Sequence, residues 1–374
     1  MGSKHGHLIV LTIVLSWLLA AAPPGLTDGF PDLGSGFVLS VSPAGTADRV
    51  FVGEYDHLFC LDAQKGKIVW SHKTPYATVD DGPILADGTL IYMGGGGHFT
   101  AYGLDPATGA QKWKRDHRAS LVVPGGNRIY LNTQFGIGVL ALDPRTGRKL
   151  WAYDEAYPGS MYLIFYDEQR VYTADYVLDA ANGKVIERFP ASVRAMATAG
   201  GKVFLANEDD ELIAVAGNTG KQLWKVQASH GQEPVGVVAS ERYVVAAFYA
   251  GYPDTARAGV LKAYTPESGR LLWEKSFSSG DQGLLWDPIA GDQARVYLLL
   301  PGPGKKDTVL KALDAASGEE LWTSPNPEGL MSPVAVTAKE IYANDDVGHI
   351  YVIDVNSGSL LRTLAYPSPP PAKY

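Results

Sequence analysis

Eight times along the 374-residue chain an apolar stretch runs into a tight turn that ends in Gly, and in most copies Asp precedes that Gly by four residues and Trp follows it by four. The copies are Asp62, Gly66 and Trp70, then Asp105, Gly109 and Trp113, then Asp143, Gly147 and Trp151, then Asp179 and Gly183. They continue as Gly220 and Trp224, Gly269 and Trp273, Asp314, Gly318 and Trp322, and finally Asp354 and Gly358. Gly stands in all eight, Asp in six and Trp in six, and successive glycines lie 43, 38, 36, 37, 49, 49 and 40 residues apart. That period suits one four-stranded blade, and a blade cannot bury its faces alone, so the units must stack. The expected fold is all-β: an eight-bladed β-propeller of four-stranded antiparallel blades over residues 36–366.

Each motif position has a physical reason. Asp at the head of a tight turn accepts backbone N–H groups, and Gly supplies the positive φ that side-chain-bearing residues resist. Trp enters the next strand as an apolar body of about 150–250 Å², which at about 25 cal/mol per Å² favours stacking of neighbouring blades. A second column, including Val50-Phe51, Ile91-Tyr92, Ile129-Tyr130 and Ile341-Tyr342, marks an earlier strand of each unit, so a blade reads as strands a, b, c and d. Glu187 and Arg362 occupy the Trp slot of the fourth and eighth copies. Strand alternation puts Phe189 and Leu364 on the same face, and they are expected to fill those two seams. Residues 37–42 either begin blade one or complete the last blade.

Copies such as Ala141-Leu142-Asp143-Pro144-Arg145-Thr146-Gly147, followed by Trp151, resemble the PQQ-like propeller repeat family. The motif builds blades and does no chemistry. The resemblance implies either quinoprotein dehydrogenases, which hold pyrroloquinoline quinone and calcium at the propeller centre, or BamB-like non-catalytic propellers that dock proteins. The enzymes commonly clamp the quinone with a bridged pair of adjacent cysteines, whereas this chain has Cys60 alone, in a column of small core residues. The expectation is a non-catalytic scaffold for protein partners, with no PQQ, calcium or other metal. A small-ligand or carbohydrate binder in the central funnel is the alternative, and a PQQ- and calcium-dependent dehydrogenase the remaining one.

The acidic runs Asp80-Asp81, 207–211 and 344–346 lack the alternating oxygen spacing of a calcium loop, and the last two fall where b–c turns want Asn and Asp. Gly94 to Gly97 lack the Lys-Ser or Lys-Thr of a phosphate loop, and the eight histidines show no zinc-ligand spacing. A net charge of −8 without a basic run argues against a nucleic-acid surface.

Lys4, His5 and His7 precede the apolar run 8–22, a signal-peptide pattern over residues 1–22. The run falls short of the roughly 20 residues of a membrane-spanning helix, and no Cys follows it for lipid attachment. The expected product is exported, periplasmic or extracellular, soluble, not lipid-anchored and monomeric. Its last segment, 367–374, carries four prolines and is expected to be a disordered tail.

Strand alternation sends the a–b and c–d turns to one face of the ring and the b–c and d–a loops to the other. The second face holds the length changes, including segments 250–258 and 301–307, and is the expected partner face. Candidate residues at the mouth of strand a there are Asp80, Asp81, Arg118, Tyr162, Arg194, Glu233, Trp286, Asp287 and Met331. Trp286 leads because it stands outside the repeat slot, and exposed Trp is enriched at binding hot spots.

Overall fold

Each repeat closes on itself as a separate four-stranded sheet with strands in chain order, and no sheet borrows a strand from another. In the computed structural model the blades span residues 39–73, 84–116, 119–153, 164–188, 193–227, 232–278, 289–323 and 330–365, every pairing being antiparallel. The structure describes residues 39–41, 49–54, 57–73, 83–94, 100–116, 119–125, 127–133, 138–153, 164–167, 169–173, 176–188, 193–217, 219–228, 232–250, 258–278, 289–301, 308–324, 330–345 and 348–367. Leu39–Val41 pairs with the second strand of blade one, so blade one is made entirely from the N-terminal side. Blade eight, Leu330–Val336 through Leu360–Ala365, is likewise complete in itself. The ring is an eight-bladed β-propeller, and among the described residues no shared strand closes it.

Every blade closes its c–d turn with the Gly N–H on the carbonyl four residues back, and in six of the eight an Asp carboxylate caps the turn as well. In the first copy Asp62 Oδ1 accepts the N–H groups of Gln64 and Lys65 at 3.0 and 2.8 Å, and Gly66 N–H returns to Asp62 O at 2.8 Å. The eight turn glycines have φ between +64° and +74°, the left-handed region. Directly after the turn the c–d pairing slips by one residue, for example between Cys60 and Leu61, and this bulge aims the Trp side chain out of its own blade.

The indole crosses to the next blade. Nε1 of Trp70, Trp113, Trp151, Trp224, Trp273 and Trp322 donates to the main-chain carbonyl of Pro106, Pro144, Ala180, Pro266, Ala315 and Val355, at 2.8–3.2 Å. Each acceptor is the residue after the Asp position of the following turn. The rings also lie on the following turn glycine, as Trp113 does on Gly147. Trp is therefore both filler and latch, a role beyond the burial expected of it. Apolar clusters fill the seams, such as Phe51, Cys60, Leu90 and Tyr102 between blades one and two.

Where the slot holds Arg362, the guanidinium supplies the missing N–H. Its Nε donates to Ala63 O of blade one at 2.7 Å, across the point where the ring closes, while its two terminal nitrogens clasp Glu340 at 2.9 and 3.1 Å. Leu364, expected to fill this seam, is buried against Gly66. Phe189, expected to do the same in blade four, lies outside the described residues.

Hydrogen bonds from Arg362 hold the Glu340 carboxyl below its ordinary range, against a partial burial that pushes it up. Since the folded-state value is the lower one, this contribution is complete above the unfolded-state value and is lost as pH falls through the folded one. Glu340→Gln should therefore flatten the acid limb of the stability curve, measured as melting midpoints from about pH 7 to about pH 3. A variant with the wild-type acid slope would show that the closing seam does not depend on this carboxylate.

A second lock spans blades six to eight on the turn face. Asp292 accepts from Tyr297 Oη at 2.6 Å and pairs with Arg295 at 3.0 Å, and Arg295 reaches Asn356 of blade eight at 2.6 Å. Tyr243 of blade six donates to the carbonyls of Asp292 and Arg295. Burial pushes the phenols of Tyr243 and Tyr297 well above their ordinary values, so both remain donors at any physiological pH.

Candidate functional site

Strand a of each blade begins on the face opposite the Asp–Gly turns, and the first strands of successive blades approach one another around the axis. Four of them are bulged: those of blades three, five, six and eight break register beside Asn132, at Val193/Ala195, at Pro234/Gly236 and at Met331/Ala335. A bulge re-aims the local side chain and ends pairing, so this rim departs from the repeat. The two connections that lengthen blades six and seven leave the same face, between Ala250 and Ala258 and between Pro301 and Thr308.

Arg194 is the extra residue of the blade-five bulge and is half-buried. Glu233 lies opposite Tyr249 near the start of blade six, and Met331 lies opposite Asn344 in blade eight. These three thus share the start of strand a, on the same face. Asp80, Asp81, Arg118, Tyr162, Trp286 and Asp287 fall outside the described residues.

The acidic run 207–211 is a b–c turn that satisfies itself. Asn207, 2% exposed, accepts the N–H groups of Asp209 and Glu211 at 3.1 and 3.0 Å and donates to the Glu211 carboxylate at 3.0 Å. Lys225 pairs with Glu211 and, with Asn207, holds its carboxyl below the usual range, while Gln227 donates to the carbonyls of Asp209 and Asp210. The side chains of Asn207 and Glu211 are thereby engaged in the turn's own hydrogen bonds, the pattern of a folded b–c loop.

Sequence reasoning missed Gln232. It opens strand a of blade six, is 9% exposed, and its Oε1 has no hydrogen-bond partner among the described residues. A buried amide oxygen left unpaired costs on the order of 1–3 kcal/mol, so it is an acceptor available to an N–H of a bound molecule. No signal in the sequence marks it: it is uncharged and belongs to no motif. Among the described residues no three His, Cys, Asp or Glu side chains group to hold a metal, and Cys60, the chain's one cysteine, is buried in a blade seam. Among the described residues the most strongly shifted groups are phenols in the seams: Tyr92, Tyr297 and Tyr342 in strand b and Tyr243 immediately before it.

The family described as outer membrane protein assembly factor BamB matches residues 17–163 and 138–359. The BamB of Burkholderia pseudomallei is 28% identical over 78% of this chain and 66% of its own length. The quinoprotein alcohol dehydrogenase PedH of Pseudomonas putida is 27% identical over 48% of this chain and 26% of its own length. The chain thus spans about a quarter of that dehydrogenase and just under two thirds of that assembly factor. Among solved structures, BamB from Moraxella catarrhalis superposes with a TM-score of 0.60 at 17% identity, covering 80% of this chain and 91% of its own, a likeness of fold.

Proposed function

This chain belongs to the PQQ-like propeller repeat family, in the group described as outer membrane protein assembly factor BamB, and from that premise we propose that it is a non-catalytic docking scaffold. It acts after export, in the assembly of a bacterial envelope, and its partners are proteins held on the b–c and d–a face. The observation that carries this reading is the contrast between faces. One is given over to uniform turns and blade-to-blade locks; the other gathers the a-strand bulges, the long connections and an unpaired buried acceptor. The family relation to BamB supports it, because that relative's name places it in assembly and the likeness extends over 78% of this chain.

The test is cross-linking in the native envelope with wild type and two variants, Trp286→Ala and a chain shortened between Ala250 and Ala258. Both are expected to keep the wild-type melting midpoint and lose about tenfold or more in captured partner, the scale of a hot-spot residue. Equal capture by all three proteins would overturn the assignment of this face.

A quinone-dependent reading rests on the PedH likeness. It requires absorption changes on adding pyrroloquinoline quinone and calcium, then dye reduction with alcohols. The scaffold reading expects neither.

A further inference from the structure

We propose that the ring consists of two rigid half-rings, blades one to four and blades five to eight, and that it opens like a jaw at the seam between blades eight and one, with the seam between four and five as its hinge.

The latch residues divide the ring this way. Blades one to three carry Trp70, Trp113 and Trp151, and blades five to seven carry Trp224, Trp273 and Trp322, each latched to the next blade. The fourth blade of each half carries a charged group instead, Glu187 or Arg362. In a ring of eight these two seams face each other across the axis.

The two charged seams hold differently from the six others. Glu187 lies on Gly220 of blade five, half-buried, and a carboxylate has no N–H for the Gly217 carbonyl that stands at the latch position. That carbonyl receives Tyr172 Oη at 3.4 Å, a long bond. Arg362 does latch, but through a guanidinium that depends on Glu340 to orient it. When either seam opens, a charged group regains water, whereas opening a Trp seam exposes an indole; hydration therefore favours opening at the charged seams.

Connectivity supplies the rest. No sheet is shared between blades, so parting a seam breaks no strand pairing. The chain passes directly from blade four to blade five, between Arg188 and Val193, while blades eight and one, the last and the first, meet among the described residues through an apolar cluster and the Arg362 guanidinium on Ala63 O. One charged seam is tethered and the other is not, which is the arrangement of a hinge and a mouth.

Thiol labelling of the full-length chain tests this. Native Cys60, 0% exposed in the Trp70 seam and labelled in the wild-type chain, is the reference. In a Cys60→Ala background, Val203→Cys reports on the seam between blades four and five, Val352→Cys on that between eight and one, and Ala312→Cys on the Trp322 seam; all three positions are 0% exposed. Labelling by a small aromatic disulfide under native conditions is expected to be about tenfold faster or more at 203 and 352 than at 60 and 312. Adding Glu187→Trp and Arg362→Trp should bring both rates down to that of Cys60. If those substitutions do not fold, Arg362→Lys, which keeps the charge and loses the planar Nε–H, should speed labelling at 352 and leave 312 unchanged. Rates at all four positions within about twofold of one another, or fast labelling that persists with both tryptophans in place, would overturn the proposal, as would an Arg362→Lys that leaves residue 352 unaffected.

Discussion

Replacing Trp113 by Ala should destabilise the ring by about 3–5 kcal/mol, the range for removing a large buried aromatic side chain. The indole is 7% exposed, lies across Gly147 of the next blade and donates to Pro144 O at 2.8 Å. Deleting it leaves a cavity in the seam and a carbonyl without its donor. Trp113→Phe separates the two losses, since it keeps most of the apolar body and removes only the N–H. It should cost about 1–2 kcal/mol, the sum of a lost hydrogen bond and a smaller ring. Urea unfolding of the three proteins measures both, read as midpoint shifts with the slope checked, because a ring of eight blades need not unfold in one step. If Phe were as damaging as Ala, the latch and not the packing would carry the seam.

The second large effect lies on the other side of the same contact. Gly147→Ala should destabilise by about 2–5 kcal/mol, whereas Gly88→Ala should cost only about 1–2 kcal/mol. Both glycines have positive φ, +64° and +69°, so both substitutions bear the same backbone strain. They differ in surroundings: a Cβ on Gly147 would meet the Trp113 ring at 2.7 Å, while a Cβ on Gly88 meets nothing within 4 Å. The difference between the two variants isolates the steric closeness of blade to blade. Thermal midpoints that fall equally would mean that turn conformation alone fixes these positions.

The ring was legible from the repeat because Asp, Gly and Trp each answer a local demand: a turn to cap, a backbone angle to allow, a seam to fill. The latch was not, since a recurring Trp looks the same in sequence whether its N–H is used or idle. For the same reason Arg362 reads in sequence as a gap to be filled by Leu364. In three dimensions Leu364 covers Gly66, and the guanidinium, planar and rich in donors like no other cationic group, performs the indole's hydrogen bond. The recognition face was legible as a face, from where lengths change, but its individual residues were not. Loop positions obey no period, so Trp286 and Asp80 could be nominated only by residue type. Gln232, an acceptor unpaired among the described residues, is visible solely once the strands around it are placed.

The acceptor of every latch is a main-chain carbonyl, the one group that all residues carry. A blade therefore recognises its neighbour without reading which amino acid stands there, as Pro, Ala and Val at the seven acceptor positions attest. Such a joint is blind to sequence. A gene encoding one blade can be copied, exchanged or left to drift on its outer loops, and the product still fits beside whatever precedes and follows it, so that the face presented to the world evolves free of the frame that carries it.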